Sequence, residues 1–348
     1  MSTESTPQAE HSAQPQLRSL SLRLQHIFVR LGVLPFLLII AVIVFSLLSS
    51  RFYGSENIKN VLRQSSYLTM VAMGQMLALL TGGFDLSVGT ILAVTSVFGA
   101  AAMAAMYAAF PDAIVLSIAV GMLAGVGAGM LIGVANGAGV ALAGVSPFMM
   151  TLGMASIGFG ISLFQTGGVP VYGMPKEFGK VLGFGQLFGF LAAPVIVTIV
   201  LIIVMYVLLN WTRMGRYLYA IGGNLKASTL SGINTRLYLF LAYVLCGTMT
   251  AISGIMLTAR LETGEANIGA TMPLESIAAC VIGGVSLRGG TGKLANVVLG
   301  AIFIGLVQNG MNLARIESYL QIVVIGILLI VAVMADQLRQ KMMAKLRD

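Results

Sequence analysis

The stretch TMVAMGQMLALLTGGFDLSVGTILAVTSVF, residues 69–98, decides how the rest of the chain is read. Two apolar runs meet at a glycine pair, and the only charge among these residues is Asp85. A carboxylate is expensive in a water-soluble core and more so in lipid, so Asp85 needs a partner, a place at a helix end or a job. Working outward, apolar runs of this kind recur along the chain. A helix needs about 20 apolar residues to cross roughly 30 Å of hydrocarbon. Runs of that order lie near 31–50, 62–81, 88–107, 113–134, 147–166, 191–210, 238–259, 270–286, 294–313 and 319–335.

Composition agrees. Of 348 residues, 57% are hydrophobic and 9% charged, against about 25% charged in soluble domains. The mean hydropathy is +0.94. The 42 glycines follow no Gly-X-Y period and suit helices that pack closely in lipid. The expected fold is therefore an all-α polytopic membrane protein of about ten transmembrane helices. The eighth run is the weakest, with Glu275 near its start and only Ile277 to Ile282 purely apolar; a re-entrant half-helix is its other reading.

The net charge of +8 does not point to nucleic acid, because Lys and Arg fall in short clusters between apolar runs. That pattern sets membrane orientation. With the N-terminus inside, Arg18, Arg23 and Arg30, then Arg213, Arg216, Lys226 and Arg236, then Arg288 and Lys293, and finally Arg339, Lys341, Lys345 and Arg347 are all cytoplasmic. The loop with Arg51, Lys59 and Arg63 is the exception. If the eighth run did not cross, the basic C-terminal tail would fall outside, so the charge pattern favours ten crossings. Both termini are expected in the cytoplasm. Residues 1–30, rich in Ser, Gln, Thr and Pro, read as a disordered tail with an amphipathic helix over Leu17 to Arg30. The permease domain then covers 31–338, and 339–348 form a basic tail.

Two regularities concern packing. Gly121, Gly125, Gly129, Gly133 and Gly137 recur every four residues, a small-residue ridge that lets a neighbouring helix approach. TGGFDLSVG (81–89) and IGGVSLRGG (282–290) echo one another, as expected of an internal duplication with a pathway between the halves.

The inventory for catalysis is poor. The histidines, His11 and His26, both lie in the polar tail, so no Ser-His-Asp or Cys-His constellation forms in the membrane region. Cys246 and Cys280 sit in apolar stretches and read as packing residues, with no disulfide framework and no metal spacing. The chain is not expected to be an enzyme. GGTGK at 289–293 fails the phosphate-loop pattern at Leu287 and Leu294, so ATP, if used, is bound by a partner and the chain itself needs no cofactor. Buried amides and hydroxyls that could meet a polar solute are Gln75, Asn136, Thr151, Gln165, Gln308, Asn309 and Asn312. Most such groups in lipid simply tie helices together.

The polar stretch RMGRYLYAIGGNLKASTLSGINTRLY (213–238) is too long for a turn between helices. It accommodates a short helix from Leu225 to Leu230, with Asn224 as N-cap and Gly232 as stop. On orientation alone it is a solvated basic loop; a docking helix is the sharper reading.

Four ordered motifs carry a resemblance: GGFDLSVG, NGAGVALAGVSPFMMTLG (136–153), GRYLYAIGGNLKASTLSGI (215–233) and IAACVIGGVSLRGGTGKLANVVLGAIFIGLVQNGMNL (277–313). Together they resemble the ribose-type permease family of bacterial ATP-binding-cassette sugar importers, over about residues 31–338. The resemblance implies a bacterial inner-membrane subunit that pairs with an identical or paralogous second permease. It also implies sugar delivered by a periplasmic binding protein and drive from a cytoplasmic ATPase. The loop 212–236 would be the coupling element, with Gly222, Asn224, Ala227, Ser228, Ser231 and Gly232 matching the family's pattern.

Asp85, preceding a helix, then reads as its N-terminal cap, which needs no partner beyond the backbone. Ser87 accompanies it. A gate residue facing the inner vestibule is the alternative. Within the same architecture the solute could instead be a polyol, a furanone signal or a branched-chain amino acid. A proton-coupled secondary transporter would need intramembrane acids, of which Asp85 is the one clear candidate. A structural or channel-like protein is argued against by the coupling-loop motif.

Overall fold

A computed structural model describes residues 34–187 and 189–345, with side chains undescribed at 336 and 338–345. The expected tail helix, both histidines and the last three residues lie outside that range.

The helices are α1 (Leu34–Leu48), α2 (Ser55–Leu80), α3 (Val88–Ala109), α4 (Ile114–Ala141), α5 (Pro147–Thr166), α6 (Ala193–Trp211), α7 (Arg213–Gly223), α8 (Leu225–Leu230), α9 (Thr235–Leu261), α10 (Met272–Ile282), α11 (Leu294–Leu313) and α12 (Ser318–Lys345). Between α5 and α6 lie one helical turn, Lys176–Phe178, a π-turn, Gly179–Gly183, and a small antiparallel hairpin pairing Gln186 with Ala192. The chain is an all-α polytopic membrane protein apart from that hairpin. Polar residues 213–234 are more ordered than a loop: they form α7 and α8 in succession.

Seven helices among the described residues are long and apolar enough to cross a membrane: α3, α4, α5, α6, α9, α11 and the first part of α12. The other three expected spans differ for distinct physical reasons. α1 is short, at 15 residues. α2 has 26 residues but carries polar side chains along its length, and Ser65 to Leu80 are buried without interruption. Wrapped by α6, α9, α10 and α11, it meets protein rather than lipid and so does not need an apolar surface.

The expectation of a helical eighth span over 270–286 is corrected. α10 has 11 residues, about 16 Å of helix, half the hydrocarbon thickness. The chain nonetheless changes ends here. Arg260 lies over the Tyr67 ring, 5.7 Å from its centroid, and Gly290 N donates to Leu80 O at 2.9 Å. Tyr67 and Leu80 are about 20 Å apart along α2. The first half of that passage, Glu262 to Thr271, is not helical.

The glycine ridge on α4 does what its spacing predicts. A Cβ on Gly125 would stand 2.7 Å from Thr95 O on α3, while on Gly133 and Gly137 it would stand 2.8 Å from Tyr243 O and 2.7 Å from Phe240 O on α9. α4 is thereby seated in the groove between α3 and α9, backbone against backbone. Leu116, Leu123 and Leu131 of the same helix remain exposed.

The echoed glycine pairs form equivalent turns in a shifted register. α2 ends with Gly82 N bonded to Leu79 O (2.9 Å) and Gly83 N to Ala78 O (3.1 Å); α10 ends with Gly284 N bonded to Val281 O (2.8 Å) and Val285 N to Cys280 O (2.9 Å). Both are Schellman turns, with Gly82 at φ 84° and Gly284 at φ 80°. The left-handed residue is the first glycine of one pair and the second of the other.

Candidate functional site

After the turn at Gly82 the chain folds back along α2 before α3 begins. In the orientation that satisfies both partners, the Gln75 side-chain amide donates to Asp85 O and accepts from Asp85 N, each at 3.1 Å. Asp85 is thus held about 8 Å below the end of α2, and it is fully buried. Its Oδ1 accepts from Ser87 N (2.8 Å) and Ser87 Oγ (2.6 Å). Asn136 Nδ2, from α4, donates to Asp85 Oδ2 (3.2 Å) and to Ser87 Oγ (2.8 Å). Thr151 of α5 accepts from Leu86 N at 3.1 Å.

Three helices, α2, α4 and α5, therefore converge on the turn that leads into α3. Ser87 is the N-cap of α3 and makes no side-chain cap bond. Asp85 reaches Ser87 N from two positions upstream, an Asx turn rather than a cap on a helical amide. The sole ion pair among the described residues is Lys59 with Glu56 (2.9 Å). Asp85 is accordingly met by hydrogen bonds alone. Asn136 Oδ1 and Tyr243 OH are buried nearby without a protein partner, the phenol standing against Gly83.

The remaining polar candidates lie elsewhere. Gln165 is exposed near the end of α5, about 20 Å along that helix from Thr151. Asn309 is buried on α11 with its Oδ1 unpartnered. Gln308 accepts from Gln64 at 3.4 Å, and Asn312 from Gln321 at 2.7 Å. These three sit by the first half of α2, away from Asp85.

At the end of α2, a second convergence forms. Asn224 Oδ1 accepts from Ala227 N (2.9 Å), capping α8. Gly232 N bonds Thr229 O (3.0 Å) and Ile233 N bonds Ser228 O (3.1 Å), closing α8 with Gly232 at φ 81°. Ser228 is buried, whereas Leu225 and Leu230 are 50% and 81% exposed. Ala227 and Ser231 are exposed beside them.

Gly222, the penultimate residue of α7, is packed so tightly that a Cβ there would overlap Leu80 O and Gly290 N. A Cβ on Gly289 would stand 2.8 Å from Gly82 N, and one on Gly290 would stand 2.7 Å from Gly223 N. Tyr219 OH donates to Gly292 O at 2.9 Å. Three segments distant in sequence thus meet through bare backbone. Of these glycines, sequence reading singled out Gly222 for its place in the loop motif and missed the contact itself.

This arrangement has relatives. Residues 57–333 match the family described as branched-chain amino acid transport system / permease component. The chain belongs to that family. Similar proteins include the ribose import permease of Bacillus subtilis, 38% identical over 305 residues, 87% of this chain and 92% of the relative. The D-allose transport system permease of Escherichia coli is 34% identical over 307 residues, 88% and 91% of the two chains. The L-arabinose transport system permease of the same organism is 37% identical over 285 residues, 82% and 84%. No solved structure matches. The family match spans both convergences. Family and apolar helices together make this permease a multi-pass inner-membrane protein, and its relatives are transport permeases rather than enzymes.

Proposed function

We propose that the permease is the transmembrane subunit of an ATP-driven, binding-protein-dependent importer of a ribose-type monosaccharide. The observation that carries this is the likeness, over more than four fifths of each chain, to permeases named for ribose, allose and arabinose. A second permease copy, a cytoplasmic ATPase and a periplasmic binding protein complete the machine.

α8 is the element that meets the ATPase. It is short, closed at both ends by side-chain and backbone bonds, and presents Leu225 and Leu230 outward. Movement imposed on it passes through Gly222 and Gly223 to Leu80 and Gly290, where backbone touches backbone and no flexible side chain absorbs the displacement. The end of α2 then moves the turn that holds Asp85. A contact can drive transport only if it differs between two states, and this joint lies between the pushed element and the central helix.

Orientation follows from charge. Arg213, Arg216, Lys226, Arg236, Arg288 and Lys293 all belong to the α8 end, which therefore faces the cytoplasm. Phe45 of α1 packs against Gly310 near the far end of α11, so α1 starts, and α12 finishes, on the cytoplasmic side. Residues 1–30 and 339–348 are then cytoplasmic tails.

The test is co-purification of the tagged permease from native membranes, with identification of stoichiometric partners, and sugar uptake in right-side-out vesicles loaded with ATP and supplied with the binding protein. Recovery of an ATPase with ATP-dependent monosaccharide uptake is expected. Recovery of the chain alone, with uptake that survives ATP depletion and stops when the proton gradient collapses, overturns the reading. The family description favours one other solute class, branched-chain amino acids. Competition of uptake by leucine rather than by pentoses would assign it.

A further inference from the structure

The passage from α9 to α10 is the irregular segment to explain. Gly264 exchanges two backbone bonds with Val171 (2.8 and 2.9 Å), and Glu265 N donates to Ser96 Oγ at 3.0 Å. The chain then runs down α3 to Gly269, whose carbonyl would stand 2.6 Å from a Cβ on Gly89. Ser96 and Gly89 are about 10 Å apart along α3, so unwound backbone reaches well into the membrane. Non-helical backbone at that depth is tolerated where protein buries it or where it lines an aqueous cavity. Here a cavity of about 160 Å³ lies beside it, lined by Leu86, Thr90, Phe159, Asn267 and Pro273 among others. One water needs only about 10–15 Å³ by such a measure, so a small polar solute fits.

The chemistry of the wall narrows the solute. No lining residue is charged. Asn267 is exposed, offering both a donor and an acceptor. Thr90 Oγ1 donates to Ala155 O at 2.8 Å, which leaves its lone pairs free to accept. Phe159 is 40% exposed and presents an apolar ring. At the start of α10, which would otherwise attract a carboxylate, most of the donors are taken. Met272 N bonds Gly269 O (3.0 Å), Pro273 has no N–H, and Glu275 N bonds Thr271 O (3.1 Å). Glu275, buried in that first turn, adds a carboxylate of its own. A zwitterionic amino acid finds no counter-charge here; a neutral polyhydroxylated ring finds amide, hydroxyl and aromatic surface.

We propose that the cavity between α3, α5 and the unwound segment 266–271 is a monosaccharide subsite within the permease, with Asn267 and Thr90 bonding sugar hydroxyls and Phe159 covering a C–H face. This deepens the importer reading and rests on it.

The test places a thiol in the wall. Cys246 and Cys280 are fully buried, so the background is low. Ala270→Cys, an exposed wall position given no part in bonding sugar, is treated in the full complex in membrane vesicles with a small hydrophilic methanethiosulfonate reagent, with and without D-ribose, D-allose, L-arabinose or L-leucine. Labelling is expected, slowed several-fold by the monosaccharide that the vesicles import and unchanged by leucine. No labelling, or a rate indifferent to all three sugars in vesicles whose unmodified permease imports one of them, overturns the subsite and leaves the importer reading standing. Unmodified vesicles that import no monosaccharide overturn both. Should Ala270→Cys fail to accumulate, Phe159→Leu serves instead. A several-fold rise in KM for sugar is expected, and an unchanged KM overturns the subsite.

Discussion

Asp85 is held by more donors than a carboxylate at a protein surface needs, and removing it exposes how much depends on it. Asp85→Ala leaves Ser87 N and Ser87 Oγ without their acceptor and takes from Asn136 Nδ2 one of its two. Each stranded buried group costs about 1–3 kcal/mol, so a large drop in detergent melting temperature is expected. Asp85→Asn keeps an oxygen for Ser87 N and is predicted to melt closer to the unmodified protein. It also separates mechanisms. ATP-dependent uptake by Asp85→Asn membranes should persist, whereas a proton relay through Asp85 would lose transport altogether. At the other convergence, Gly222→Ala forces a methyl group against Leu80 O and Gly290 N. Overpacking of this kind costs about 1–3 kcal/mol. We predict that Gly222→Ala permease still assembles with its ATPase but transports less sugar per ATP hydrolysed; an unchanged ratio would remove the glycine contact from the coupling path.

Among the elements, α8 is the most dependent on its ends. Six residues cannot hold a helix by themselves in water. Asn224→Ala removes the cap on Ala227 N, worth about 1 kcal/mol, and Gly232→Val places a β-branched residue at φ 81°, which costs more than a glycine there. Both variants are expected to insert normally and to hydrolyse ATP with weakened sugar uptake. Normal uptake by both in vesicles would take α8 out of the coupling step. α4 behaves differently, because its ridge acts by permitting contact rather than by forming bonds. Gly125→Val has no room between Thr95 and the α9 side chain of Ile255. Loss of membrane-inserted protein is predicted, read as recovery after detergent extraction. α8 was legible in the chain because Asn224, the polar run and Gly232 are local turn chemistry. The ridge was equally legible, since a period of four marks one helix face.

For the molecule as a whole, the central position of α2 organises everything else. Its flanks carry α9 and α11, its end meets α7 and the turn after α10, and its level at Gln75 receives Asp85. If the permease works as an ATP-driven importer, depleting ATP should abolish uptake in intact vesicles while a proton uncoupler leaves the initial rate unchanged. The reverse pattern would mean that the α8 end is not a site of drive. The sequence by itself determined the membrane class, the position of nearly every helix, the short capped α8 and the ridge of α4. Those features follow from apolar run length, residue period and turn residues, all of which act within a few residues of chain. Tertiary structure alone decided that α2 is buried despite its polar residues, that the passage from α9 to the end of α10 is half unwound, and that Gly222 rests on Leu80 and Gly290. It also decided that Asp85 finds Gln75 and Asn136 while Gln165 and Asn312 stay apart from it. The reason is physical: a buried polar group is satisfied by whatever packing brings beside it, and those partners are separated by many residues along the chain, where no local pattern records them.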